Sequence, residues 1–279
     1  MVHCRFLHGG RHERLLTPTG SQCPDNRPPR NAVAVFRGPH QADTDIAAKV
    51  SALETRLKSI AAEFGTVRLA SSLAAEDNVL FDAVARLKLD NISTFSLDTG
   101  RLHEETLAVA DQLQARYGTT TQWIEPNSGA VAEYVNTHGQ NAFYHSVELR
   151  KACCHIRKVE PLGRALQGAH AWITGQRAGQ AATRTALPER EHDAAHGLVK
   201  FNPLSEWSEA DIWTYIRQFD VPVNPLHFKG FPSIGCEPCT RAITIGEEIR
   251  AGRWWWEDPQ LKECGLHQSN LQQSTLKPR

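Results

Sequence analysis

The chain has 279 residues, enough for one large α/β domain or a domain with appendages. Lys plus Arg and Asp plus Glu both number 31, so no net charge draws the molecule toward nucleic acid or an anionic membrane surface. With 41% hydrophobic residues a packed core is expected, and no apolar run is long enough for a bilayer span or a signal peptide, which predicts a cytoplasmic protein.

Residues 1 to 40 are rich in Pro, Gly, Arg and His and carry no sustained apolar period. They read as a disordered extension, with Cys4 and Cys23 as bystanders. Residues 41–253 read as the α/β body, and 254–279 as a mobile C-terminal segment. Ile46, Val50, Leu53, Leu57, Ile60 and Phe64 stand at helical spacing and predict an amphipathic helix over Ile46–Phe64. A strand follows at Thr66–Ser71, then a helix at Ala74–Leu87, a strand at Ile92–Leu97 and a helix at Arg101–Tyr117. Further strands are expected at Thr120–Ile124 and Ala171–Thr174. Strands alternating with helices imply a parallel sheet flanked by helices. Ligands in such sheets bind beyond the carboxyl ends of the strands. The loops Ser71–Asp77, Asp98–His103 and Gly175–Arg184 should therefore gather along one edge. Ser208 with Asp211 three residues on is a helix-start signal. From Pro222 the chain is loop-rich, with a short helix expected at Ile245–Ala251.

Seven cysteines are an odd number, and they cluster rather than spread. In a reducing compartment such clusters are more often metal ligands or catalytic thiols than disulfides. Cys153-Cys154 and the Cys236-x-x-Cys239 pair supply four thiolates, the usual complement of a [4Fe–4S] cluster or a structural zinc. Adjacent side chains reach one tetrahedral ion with difficulty, whereas a cubane offers separate corners. That favours the cluster over zinc, with a Cys153–Cys154 disulfide third. Cys264, in Lys262-Glu263-Cys264-Gly265-Leu266-His267, is a lone thiol near the end of the chain. Gly265 gives it mobility, and Lys262 and His267 could favour its ionisation, while Glu263 works against it.

Ser71, Ser72 and the small residues up to Asp77 sit between a strand and a helix, where backbone N–H groups can face a phosphate. The loop lacks the glycines of a P-loop or a dinucleotide fingerprint. Leu97-Asp98-Thr99-Gly100 and Gly175-Gln176-Arg177 also follow strands. Arg177 and Arg184 suit bidentate binding of phosphate or sulfate oxygens, and Lys158, Arg250 and Arg253 complete a candidate anion clamp. Trp254-Trp255-Trp256 reads as core packing that anchors the tail.

Taken together, the paired cysteines, GCEPCTR, RAGRWWWED and KECGLH resemble the assimilatory adenylyl-sulfate reductases, in the family that also holds the phosphoadenylyl-sulfate reductases. The resemblance covers residues 45 to 267. It implies an adenine-nucleotide α-hydrolase-like fold with a modified phosphate loop at Ser71–Asp77. It implies nucleotide contacts at Ser71, Ser72, Leu97, Asp98, Thr99, Gly100, Gly175, Gln176 and Arg177. Phosphosulfate contacts are implied at Lys158, Arg250 and Arg253, and Arg184 and His267 are further substrate-binding candidates. The [4Fe–4S] ligands would be Cys153, Cys154, Cys236 and Cys239, and the nucleophile Cys264. The implied reaction converts adenosine 5′-phosphosulfate to sulfite and AMP through an S-sulfocysteine, with thioredoxin as reductant. Paired cysteines go with the substrate that lacks a 3′-phosphate. The alternatives are a reductase of the 3′-phosphorylated substrate and a metal-stabilised, ATP-dependent sulfur-transfer enzyme.

Overall fold

The computed structural model describes residues 45–180 and 187–258. Helix α1 spans Ile46–Glu63, and the Asp45 carboxylate caps it by accepting from the N–H groups of Ala47 and Ala48. Its buried stripe is Val50, Leu53, Leu57 and Ile60, the face that the periodicity predicts. Strand β1 (Val67–Ala70) leads to α2 (Ala75–Leu87), β2 (Ile92–Leu97), α3 (Glu104–Tyr117) and β3 (Gln122–Ile124). Next come α4 (Ser128–His138), α5 (Val147–Cys154), a π-helical turn (His155–Val159) and α6 (Glu160–Ala165). Strands β4 (Ala171–Ile173), β5 (Arg190–Asp193) and β6 (Leu198–Phe201) complete the sheet, and α7 (Glu209–Phe219) packs on α1 and α2.

The strand order is β3-β2-β1-β4-β6-β5. The chain builds outward from β1 on one side, then crosses to β4 on the other, so the switch point lies between β1 and β4. The main core joins the inner side of the sheet to α1, α2 and α7 through Leu53, Leu57, Leu69, Val79, Ile173 and Ile212. Among the described residues, no helix is long and apolar enough to cross a membrane.

The parallel sheet expected from the sequence carries one exception: edge strand β5 runs antiparallel to β6. Its sequence, Arg-Glu-His-Asp, has no apolar alternation, so nothing in its pattern announces a strand. The helix expected from Arg101 begins instead at Glu104, because Gly100 (φ +66°) turns the chain and Asp98 Oδ1 accepts its N–H at 2.8 Å. The helix expected over Ile245–Ala251 does not form. Isolated turns take its place, with Gly246 at φ +93°. Ser208 and Asp211 form a reciprocal capping box at the start of α7, as their spacing suggests. Residues 254–257 are packed into the body, with Trp254 1% exposed, whereas the segment beyond 258 and residues 1–40 lie outside the described residues.

Candidate active site

The loops after β1, β2 and β4 converge as expected and line one cavity of about 310 Å³. In the first, Ser71 Oγ accepts the N–H of Leu73, and Leu73 sits at φ +61° with its side chain buried beside Phe81. A left-handed leucine costs about 1–2 kcal/mol, which its packing offsets. The N-cap of α2 is Ala74, with no side-chain cap, so this is no ordinary serine-capped helix start. Helix-start N–H groups left without a cap form a natural cradle for an anion. Asp77 is buried and accepts from both the N–H and the hydroxyl of Ser72 at 2.6 Å. Burial raises its carboxyl to about 6, against the pull of the Ser72 hydrogen bonds. Gly175 lets the backbone pass close to Asp77, because an added Cβ would lie 2.3 Å from Asp77 Oδ1 and 3.1 Å from its backbone nitrogen.

Leu97, Thr99, Gln176 and Arg177 also line the cavity, as do Lys158, Arg250 and Arg253. Asp98 and Gly100 shape the turn and do not line it. Arg177 differs from the open cation that the sequence suggests. Its Nε and Nη2 donate to Glu76 Oε1 at 2.9 and 2.7 Å, and Nη1 donates to the Trp207 carbonyl. Its charge is met by a carboxylate, and it clasps the loop after β4 to the start of α2. Arg250 reaches the cavity from a turn and Arg253 from an isolated bridge to Thr240, neither from a helix. The Arg253 guanidinium lies over Gly235, where a Cβ would stand 2.5 Å from Nη2. Its Nη1 donates to the Ile234 carbonyl, and its Nε is buried with no hydrogen-bond partner among the described residues.

Cys153, Cys154, Cys236 and Cys239 come together around a second, smaller cavity with Arg101, Arg157 and Lys158. None of the four is in a disulfide among the described residues, and three are buried. Burial pushes the Cys239 thiol well above its ordinary range, with Cys236 beside it adding to the rise. Burial works the same way on Cys236, but Lys158, Thr99 and Arg253 outweigh it, and that thiol ends below its ordinary value. Among the described residues, no three Cys, His, Asp or Glu side chains converge as a single-ion site. Four soft donors that line one cavity without meeting at a point, ringed by cations, fit a polynuclear iron–sulfur group better than one zinc ion. Lys158 and Cys236 line both cavities, so the thiol cage and the larger cavity share a wall. The π-helical turn that follows Cys154 carries Arg157 and Lys158.

A family described as the phosphoadenosine phosphosulfate reductase domain matches residues 66–242, well over half of the chain. The chain belongs to that family. The adenosine 5′-phosphosulfate reductase of Burkholderia cepacia is 57% identical over 223 residues, covering 80% of this chain and 89% of the relative. That of Allochromatium vinosum is 54% identical over 211 residues, covering 76% and 82%. A crystal structure of phosphoadenylyl-sulfate reductase from Candida auris, a phosphate complex, superposes with a TM-score of 0.58. It is 24% identical and covers 72% of this chain and 98% of that one, a likeness of fold.

Several residues of this reductase-family chain carry no sequence signal but shape the site. Arg157, one helical turn after Cys153, donates from Nη1 to the Thr99 carbonyl at 2.7 Å. Thr99 Oγ1 lies 3.3 Å from Cys236 Sγ, so the loop after β2 touches the thiol cage directly. Tyr144 donates to the Pro238 carbonyl at 2.6 Å. Arg150, fully buried on α5, holds Glu257 in a bidentate pair at 2.9 and 2.7 Å and stacks 4.5 Å over Trp254. Only the Cys153 to Arg157 spacing could have been read from the sequence. The other contacts join segments up to 137 residues apart. Cys264, His267 and Arg184, each assigned from the sequence, lie outside the described residues.

Proposed function

We propose that this protein reduces adenosine 5′-phosphosulfate to sulfite and AMP, with Cys264 as nucleophile and thioredoxin as the source of two thiols. The observation that carries this reading is the shared wall of the two cavities. Lys158 and Cys236 stand between an anion-suited loop region and a four-thiol cage. Relatives more than half identical and named adenosine 5′-phosphosulfate reductase support the choice of substrate.

The nucleotide rests against the loops at Ser71–Ser72, Leu97–Gly100 and Gly175–Arg177. Lys158, Arg250 and Arg253 hold the phosphosulfate, and Arg184 and His267, outside the described residues, are further substrate-binding candidates. The Cys264 thiolate attacks the sulfonyl sulfur, the S–O bond to the phosphate breaks, and AMP leaves with the electron pair. Fixed positive charge at the departing phosphate lowers the barrier. Removing one such donor typically costs about a hundred- to thousandfold in rate. One thioredoxin thiolate then attacks Cys264 Sγ and expels sulfite, and the second resolves the mixed disulfide. Sulfur goes from S(VI) to S(IV), two thiols become one disulfide, and Cys264 returns as a thiol.

Cys153, Cys154, Cys236 and Cys239 would hold a [4Fe–4S] cluster. Bound there, it would tie the two cysteine segments together and tune the local field without itself needing to change oxidation state.

The test is Cys264→Ser. It should keep AMP binding and the brown colour of the protein, form no S-sulfonated adduct by mass spectrometry, and release no sulfite. An adduct in the serine variant overturns the assignment. Sulfite release from the 3′-phosphorylated substrate in preference to adenosine 5′-phosphosulfate would overturn the substrate.

A further inference from the structure

A buried cation that stands outside the anion clamp faces one nucleotide-loop residue. Lys200, on β6, is 6% exposed. Its strand neighbours in register are Trp172 on β4 and Glu191 on β5. All three meet in space: Lys200 Nζ lies 2.9 Å from Glu191 Oε1 and 5.5 Å from the centre of the Trp172 ring. The third contact leaves the strand ladder. Lys200 Nζ donates to Gln176 Oε1 at 2.8 Å, and Gln176 lines the larger cavity.

That contact settles which way the Gln176 carboxamide points. An ammonium has three donors and no acceptor, so only the carboxamide oxygen can face it. The Gln176 nitrogen is thereby turned away from Lys200, and it donates to no protein group among the described residues. The Glu191 carboxylate also accepts from Asn202 Nδ2 at 3.1 Å, and Asn202 Oδ1 accepts from Thr174 Oγ1 at 2.6 Å. The network thus closes at Thr174, the residue after β4 and two before Gln176, and leaves the carboxamide little freedom.

We propose that Lys200 is a positioning residue, which fixes Gln176 as a hydrogen-bond donor to a lone-pair acceptor on the bound nucleotide. The Lys200–Glu191 pair acts only through that amide and does not touch the ligand. A site whose buried polar groups are locked in one orientation discriminates more sharply than one in which a carboxamide can flip. This inference rests on the reading of the larger cavity as the nucleotide site.

A double-mutant cycle on AMP affinity, read by calorimetry on the full chain, tests it. The neutral pair Lys200→Met with Glu191→Gln removes the ammonium without stranding the carboxylate. It should weaken AMP binding about tenfold, the worth of one oriented hydrogen bond. It should also raise KM for adenosine 5′-phosphosulfate by a similar factor with kcat unchanged. Gln176→Leu should weaken AMP equally, and adding the neutral pair to it should cost nothing more. Additive losses overturn the proposal, because a merely structural role for Lys200 would persist without Gln176. Gln176→Glu keeps a partner for Lys200 but presents no donor to the cavity, so it should bind AMP as poorly as the leucine variant. Wild-type affinity in that variant overturns the proposal as well. If the wild-type protein binds AMP yet releases no sulfite, the proposed reaction fails while the cycle still decides the role of Lys200.

Discussion

Arg150 and Glu257 are the pair on which the region around the thiol cage turns. The guanidinium is fully buried and the carboxylate side chain is 3% exposed, so water compensates neither charge. A buried ion pair is weak evidence of stability in itself, but breaking one side strands the other. Glu257→Gln should therefore cost about 3–5 kcal/mol in urea unfolding. Replacing both, as Arg150→Met with Glu257→Leu, should recover much of that loss. Arg177 carries a related lesson. The sequence can say that an arginine after a strand suits a phosphate, but whether the charge is open or met by Glu76 depends on a residue 101 positions away.

At the scale of elements, the contact that matters most is between the loop after β4 and the start of α2. Gly175 lets them meet with Asp77 folded back onto Ser72. Gly175→Ala should push the Asp77 side chain aside, open the Ser72 clasp, and weaken AMP binding at least tenfold, a loss of about 1.4 kcal/mol. Far-UV circular dichroism should be unchanged, because no helix or strand residue is replaced. Helices α1, α2 and α3 and strands β1 to β4 were readable because their apolar residues repeat at 3.6 or appear as short buried runs, whereas α4 and the inner strand β6 were not read. The stretch from Val147 to Ala165 was not, since Pro161 and Gly163 lie inside it and a π-helical turn interrupts its period. The helix expected at Ile245–Ala251 failed because Gly246 takes a left-handed backbone and no buried face holds the segment, with Ile245 82% exposed.

For the whole molecule, stability against pH sums opposed buried groups. Asp77 is raised from 3.8 to about 6, so its contribution is fully present below 3.8 and is lost as pH rises toward 6. His103 is lowered from 6.5 to about 4 by burial, with Glu105 pulling the other way. Its contribution is present above 6.5 and is lost as pH falls through 4. Each swing is worth about 3 kcal/mol, and between pH 4 and 6 the two slopes oppose each other. Asp77→Asn should unmask the histidine slope, so that urea midpoints climb more steeply from pH 4 to 6 than in the parent protein. His103→Gln should tilt the profile the other way.

The alternation of strands and helices from α1 to β3, strand β4, the loops at the strands' carboxyl ends and the two cysteine pairs follow from local pattern, because periodicity and short spacings are properties of neighbouring residues. The sequence alone thus determined the α/β class, the family resemblance and the chemistry available to the thiols. The antiparallel edge, the Glu76 partner of Arg177, the burial of Arg150 and the orientation of Gln176 were decided only in the tertiary structure. The antiparallel edge is a local hairpin with β6; the other three are set by contacts between distant segments, where burial removes water and forces every charge and amide to find a partner in space.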